Sequence, residues 1–283
     1  MSKSTTLDPR GGVAIITGAA GGIGAALALQ LAARGCHLAL ADLHADSLND
    51  VGAQARALGV TVSTHVLDVA RPESADAMLA DVMAHHGRAT LLVNNAGVAL
   101  GGNFEQISAD DFDWLMGINF SAVVRLTRTF LPLLRQAPAA QIVNLSSVFG
   151  IIAPPGQTAY CAAKFAVRGF SESLRHELES NHSSVGVTLV HPGGVRTGIA
   201  DHARLPATAS AADRQAHQER ARRALRMSPE EAAARILRGI EQREARVLVG
   251  RDAVASAWVQ RLFPVSYWHW IARGLARQGI RVS

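Results

Sequence analysis

From Val13 onward the chain alternates short β-branched runs with longer stretches of helical period. That alternation limits the fold sharply, because parallel strands need crossover helices and are then buried on both faces. It predicts strands at Val13–Ile16, His37–Ala41, Val60–Val66, Leu91–Val93, Gln141–Leu145, Val185–Val190 and Arg246–Val249. Helices are expected at Ile23–Ala33, Asp46–Ala57, Glu73–His85, Ala109–Arg135, Ala159–Glu179 and Pro229–Arg243. Gly35, Gly59 and Gly87 fall just past helix ends, where a left-handed cap is wanted. Ser228-Pro229-Glu230-Glu231 reads as a helix start, with Ser228 as N-cap and Glu231 closing a capping box. Two stretches break the alternation and are expected to be irregular: Gly194–Met227, and Arg251 to the end. The expected fold is a single-domain, doubly wound α/β structure with seven parallel strands and helices on both faces. Residues 1–250 would form its core and 251–283 an extension of the same domain.

Composition narrows the function classes. With 48% hydrophobic residues in 283, the chain can bury a sizeable core. Its formal charge of +5 is spread along the chain as arginine, which argues against a nucleic-acid footprint. The densest run, Arg220, Arg222, Arg223 and Arg226, lies near Glu219, Glu230 and Glu231 and reads as a solvated helix face. Cys36 and Cys161 are too few for a disulfide framework, so a reduced, cytoplasmic setting is expected. The polar stretch Met1–Arg10 has no apolar centre, so no signal peptide is expected. No apolar run reaches the roughly 18 residues of a membrane span. The eleven histidines show no metal-ligand spacing; His85-His86 and His191 read as solvated or core residues, and no metal site is expected.

The first strand runs into Thr17-Gly18-Ala19-Ala20-Gly21-Gly22-Ile23-Gly24 and then an apolar helix. Strand, glycine turn and helix together read as a dinucleotide-binding site. Gly18 would permit the tight turn, Gly22 the approach of a pyrophosphate, and Gly24 close helix-to-strand packing. The free N–H groups at the helix start, with Ile23 among them, would hold the phosphates. Asp42 follows Gly24 by 18 residues, at the end of the second predicted strand, where a carboxylate would accept from ribose hydroxyls. Ala41 and Leu43 are uncharged and position 21 is glycine, so nothing basic answers a 2′-phosphate, which Asp42 would repel. NAD(H) is therefore expected over NADP(H).

Lysine occurs only twice, at Lys3 and Lys164, and tyrosine only at Tyr160 and Tyr267. Tyr160 and Lys164 are thus paired at i and i+4, on one face of a helix. A free phenol with a pKa of about 10 exchanges protons poorly near neutrality. A neighbouring ammonium is expected to favour the phenolate and lower that value.

With these motifs in order, the chain resembles the classical short-chain dehydrogenases/reductases over about Gly12 to Gly250. The resemblance implies a Rossmann-like fold and a cofactor turn at Thr17–Gly24. It implies an adenine contact at Asp68-Val69 and the fourth-strand motif at Asn94-Asn95-Ala96-Gly97. Asn119 would be the structural and catalytic asparagine, supporting a water that links Lys164 to solvent. Ser147, 13 residues before Tyr160, would hold the substrate oxygen. Tyr160 would be the general acid and base, and Lys164 would hydrogen-bond the nicotinamide ribose. Pro192-Gly193, Val195 and Thr197 would close the nicotinamide end, and 194–227 would carry the substrate loop, with closure expected to exclude water. Cys161 reads as packing. The three-residue gap between Tyr160 and Lys164 favours carbonyl and alcohol chemistry over double-bond reduction. The partners implied are a small alcohol or carbonyl substrate and further copies of the chain, as a dimer or tetramer.

Alternatives within this resemblance are an NADP-dependent 3-oxoacyl-carrier reductase, a membrane-surface lipid or steroid dehydrogenase, and a cofactor-sensing regulator without catalysis. Intact Ser147, Tyr160 and Lys164 argue against the sensor. The stretch after Gly250 holds Trp258, Trp268 and Trp270 with Phe263 and Tyr267, flanked by Arg251, Arg261, Arg273, Arg277 and Arg281. It reads first as a subunit interface or pocket wall. A membrane-surface helix and a loosely ordered tail are the other readings.

Overall fold

The computed structural model of the protein describes residues 6–277. Seven strands, β1 (Val13–Thr17), β2 (His37–Asp42), β3 (Val62–Val66), β4 (Leu91–Asn94), β5 (Ala140–Leu145), β6 (Val185–Pro192) and β7 (Arg246–Val249), form one sheet. All pair in parallel in the order β3-β2-β1-β4-β5-β6-β7. Their side chains alternate between two cores, as the period of a strand requires. Ala14, Ile16, Leu38, Leu40, Leu91 and Val93 join one core. It is completed by α1 (Gly22–Ala32), α2 (Ala45–Ala57) and α8 (Pro229–Glu241) through Leu27, Leu31, Leu48, Ile236 and Ile240.

The intervening Ile15, Ala39, Ala41, Leu92 and Ile142 face the opposite core. That core is built by α3 (Ser74–His86), α5 (Ala122–Leu134) and α6 (Thr158–Ser180), through Met78, Val82, Phe130 and Leu178. Phe130 is fully buried, so Phe130→Ala would cost about 3–5 kcal/mol. The strand order reverses between β1 and β4, which opens a crevice at the carboxyl ends of those strands. Gly35, Gly59 and Gly87 take left-handed φ values of +76°, +84° and +66° at their helix ends. Ser228 and Glu231 form the reciprocal capping box.

Four expectations need correction. The helix expected over Ala109–Arg135 is divided into α4 (Ala109–Met116) and α5 by a π turn, Gly117–Ser121. The third strand starts at Val62 rather than Val60, since Thr61 N–H is taken by His37 Nδ1. The stretch 194–227, expected to be irregular, contains α7 (Ala211–Ala224). Its alanine, glutamine and arginine favour helix without any apolar stripe to announce it. The side chains of Arg220, Arg222 and Arg223 lie outside the described residues, and so does Arg281. The last stretch is also helical, as α9 (Arg251–Leu262) and α10 (Tyr267–Arg277).

Candidate active site

The glycine turn leaves β1 and enters α1 with Gly18 and Gly22 at φ +64° and +54°. At Gly24 a Cβ would sit 2.1 Å from the Gly18 carbonyl oxygen, so this position admits only glycine without a shift of backbone. The first turn of α1 has no side-chain cap and no acidic residue, so its N–H groups are left for an anion. A dinucleotide pyrophosphate therefore fits the residues present.

Thr17 and Asn95 hold this turn against the end of β4. The Asn95 and Ala96 N–H groups each donate to Thr17 Oγ1 at 3.1 Å. Asn95 Nδ2 donates to the Thr17 and Gly18 carbonyls at 2.9 Å each. At the end of β2, Asp42 Oδ2 accepts from the Ala20 N–H at 3.0 Å, so the carboxylate lies against the glycine turn. The exposed His44 ring lies 2.9 Å from Asp42 Oδ1, a neighbour absent from the sequence reading. Asp68 turns its carboxylate onto its own loop, accepting from Ala70 N–H at 2.8 Å. Arg125 fixes the same loop by donating to the Val69 and Ala70 carbonyls at 2.9 and 2.8 Å.

On the other side of the crevice, Ser147 follows β5 and Tyr160 and Lys164 lie in the first two turns of α6. The Ser147 hydroxyl is near enough to the Tyr160 phenol to pull its pKa down. It also accepts from Phe149 N–H at 3.1 Å. Phe149 meets the Tyr160 ring edge to face at 6.2 Å. Lys164 is buried; Nζ donates to the Leu145 carbonyl at 3.0 Å and lies 5.6 Å from the Tyr160 ring centre. Asn119 sits in the π turn, with Oδ1 accepting from Val98 N–H at 2.8 Å and Nδ2 donating to the Val98 carbonyl at 2.9 Å. Gly97 brings these groups together: a Cβ there would lie 3.2 Å from Asn119 Oδ1 and 3.5 Å from Lys164 Nζ.

The electrostatics correct one expectation. Burial pushes the Tyr160 phenol up to about 12, against a smaller downward pull from Ser147. Burial also brings the Lys164 ammonium down to about 8. The ammonium was expected to lower the phenol, but removing both groups from water opposes both charged forms, and desolvation prevails. Cys161, like Cys36, is raised to about 12 by burial, far from a reactive thiolate.

At the end of β6, Pro192 and Gly193 lead into Val195, which forms an isolated bridge with Met227. Gly193 N–H donates to the Val249 carbonyl at 2.8 Å, and Gly194 N–H to Asp252 Oδ2 at 2.7 Å. Thr197 lies over the glycine turn, since a Cβ on Gly22 would meet its Cγ2 at 3.0 Å. Arg204 clamps the following segment onto α4: it stacks on Trp114 at 3.6 Å and reaches Asp111 at 3.0 Å.

Sequence reasoning missed Thr17, Arg125 and His191 as supports. His191 is fully buried and its Nδ1 lies 2.7 Å from the Ser147 carbonyl, where the N–H donates. Burial, its largest influence, holds this ring neutral, with its pKa down at about 4. Beneath the site, Asn94 Nδ2 donates to Asn144 Oδ1 at 2.8 Å, and Asn144 Nδ2 to Ser171 Oγ at 2.9 Å. This buried chain fixes β4, β5 and α6 relative to one another.

A parallel sheet of this order, with a glycine turn on one side of the crevice and a Ser–Tyr–Lys cluster on the other, is the architecture of an oxidoreductase. The sequence family described as short chain dehydrogenase matches residues 12–207. SadH of Mycobacterium tuberculosis is 43% identical over 268 residues, covering 94% of this chain and 96% of that protein. An Anopheles gambiae protein named dehydrogenase/reductase SDR family protein 7-like is 32% identical over 274 residues, covering 95% of this chain and 84% of that one. A short-chain dehydrogenase/reductase from Burkholderia phymatum, solved in complex with NAD, superposes with a TM-score of 0.84 at 29% identity, covering 98% of each chain. The chain belongs to the short-chain dehydrogenase family.

Proposed function

We propose that the protein is an NAD(H)-dependent oxidoreductase that interconverts a secondary alcohol and a ketone, with Tyr160 as general acid and base. The observation that carries this reading is the meeting of Ser147, Tyr160, Lys164 and Asn119 across the crevice from an uncapped glycine turn. A nicotinamide, when bound, accepts or supplies the hydride. Gly18, Gly22, Ile23 and Gly24 would hold its pyrophosphate, and Asp42 the adenosine ribose. Asp68, Val69, Asn95, Ala96 and Gly97 would line the adenosine and central part of the cleft. Pro192, Gly193, Val195 and Thr197 would border the nicotinamide end.

In reduction Tyr160 gives its phenolic proton to the carbonyl oxygen, and in oxidation it takes the alcohol proton. Ser147 holds that oxygen beside the phenol. Lys164 spends one N–H on Leu145 and keeps the others for the ribose and for proton exchange. Asn119, held in the π turn by the Val98 backbone, would support a water that links Lys164 to solvent. Preference for NAD(H) is supported by the Asp42 carboxylate beside the glycine turn, where a 2′-phosphate would meet like charge. Membership of the family supports a dimer or tetramer, which sedimentation would measure.

The test is steady-state oxidation of NADH, and separately NADPH, against ketones, diketones, steroids and acyl thioesters, with Tyr160→Phe alongside. Turnover with NADH should fall at least about 10²-fold in the variant, the low end for one acid/base group. A variant that keeps most of its activity would overturn the assignment. Cofactor binding without any turnover would favour the sensing regulator instead.

A further inference from the structure

The C-terminal helices carry a surface that the crevice chemistry does not use. Twelve large hydrophobic side chains are exposed among the described residues, and six of them fall between Val254 and Trp270. Val254, Trp258 and Leu262 recur every four residues, so they form one stripe along α9. They are 41%, 58% and 65% exposed. The turn to α10 adds Phe263 and Val265, the latter 93% exposed, and α10 adds Trp270, which packs on Phe263 at 5.2 Å. A contiguous apolar surface of this kind marks an interaction site.

Charge decides what it meets. From Arg251 to Arg277 the chain holds four arginines and one acid, Asp252. Asp252 Oδ2 is already engaged by the Gly194 N–H. Arg261 lies 5.9 Å from the Trp258 ring and Arg273 5.7 Å from that of Trp270, so cations flank the exposed indoles. Tryptophan beside arginine suits the boundary between acyl chains and acidic headgroups. A second copy related by two-fold symmetry would set this stripe and its flanking Arg261 and Arg273 against their own copies, and the one acid of the segment, Asp252, is already engaged. Among the described residues no helix is long and apolar enough to cross a membrane, so the surface would lie on a bilayer rather than span it.

We propose that the α9–α10 hairpin docks the protein on the surface of an anionic lipid bilayer. Tyr267 Oη accepts from Ala153 N–H at 3.0 Å, which ties the hairpin to the loop that leads into α6 and Tyr160. Docking therefore sets the catalytic crevice beside the lipid surface.

The experiment is co-sedimentation of the full chain with phosphatidylcholine vesicles, with and without phosphatidylglycerol, at low and high salt. Tryptophan emission is followed in the same samples. Wild type should bind the anionic vesicles, with a blue shift, and release as salt rises. Val265→Asp and Trp258→Asp, both at exposed positions, should each weaken binding at least about tenfold, because one large apolar side chain returns to water. Circular dichroism and sedimentation velocity check that both variants fold. Failure to bind anionic vesicles, or binding that both variants retain, would overturn the proposal. So would a wild-type oligomer that Trp258→Asp dissociates while no vesicle binding is seen, since a second copy would then cover the stripe.

Discussion

The buried imidazole behind Ser147 makes a quantitative prediction about acid stability. His191 is held neutral with its pKa near 4, chiefly by burial, while an imidazole in the unfolded chain titrates near 6.5. As pH falls below about 6.5 the unfolded chain takes up a proton that the folded chain refuses. Stability present at neutral pH is therefore lost progressively until the folded value near 4 is reached. Integrating between those values from pH 7.5 to pH 5 gives a loss of about 2 kcal/mol from this one residue.

The perturbation is His191→Asn, which removes the titrating ring but keeps an amide N–H to donate to the Ser147 carbonyl. Arg168, Glu172 and Arg246, which also act on His191, remain in both proteins, as do His65 and His86, whose pKa values burial likewise lowers. Their contributions cancel in the comparison. Urea unfolding at equal protein concentration at pH 7.5 and pH 5 should show wild type losing about 2 kcal/mol more than the variant. Equal losses in the two proteins would refute the reasoning, because the ring would then be protonated in the fold or already accommodated there.

Three further outcomes follow from the crevice. Asp42→Ala with Leu43→Arg removes the repelling carboxylate and adds a phosphate partner, and should move the NADH/NADPH ratio of kcat/KM at least about tenfold toward NADPH; no shift would mean that other residues read the adenosine end. Gly24→Ala drives a Cβ against the Gly18 carbonyl and should cost on the order of 1–3 kcal/mol in urea unfolding, with NADH affinity by fluorescence titration reduced in parallel. If Tyr160 acts as proposed, alcohol oxidation requires the ionised phenol, so with Tyr160 raised to about 12 and Lys164 charged only below about 8, its log kcat/KM should climb by about one unit per pH unit from near 6 to near 8. A plateau below pH 8 would show that Lys164 lowers the phenol in the working enzyme.

The sheet was legible because its central strands are buried on both faces and so read as apolar runs, as in Val13–Ile16 and Leu91–Val93. The capped helices were legible for a different reason: Ser228, Glu231 and the three left-handed glycines are local devices that need no tertiary context. Tyr160 and Lys164 were read through spacing and Ser147 and Asn119 through the family resemblance, and the structure brings the four close together from separate elements. The π turn was illegible because it changes hydrogen-bond register without changing apolar period, which continues through Leu115, Ile118 and Ala122. α7 escaped because its sequence carries no apolar stripe, and α9 because its stripe of Val254, Trp258 and Leu262 faces outward. His191 escaped because its partner is a backbone carbonyl 44 residues earlier, which no side-chain pattern encodes.

The same limit explains the Tyr160–Lys164 pair. Spacing places a phenol and an ammonium one helical turn apart, and spacing alone reads as attraction between phenolate and cation. Spacing carries no information about how much water the fold removes. Here Lys164 is buried under the site, its Nζ is directed to the Leu145 carbonyl, and Tyr160 is walled by Phe149 and the Ser147 turn. Each charged form loses hydration, so the acid becomes harder to ionise and the ammonium easier to neutralise. A phenol that stays protonated at neutral pH would, in the proposed mechanism, hold the proton that a carbonyl needs on reduction. Oxidation by the proposed mechanism would first have to ionise that phenol, which positive charge brought close to it would favour. If Tyr160 is the acid and base, the burial that raises it would make the site's proton chemistry depend on Lys164 remaining charged, near the pH where burial begins to release its proton.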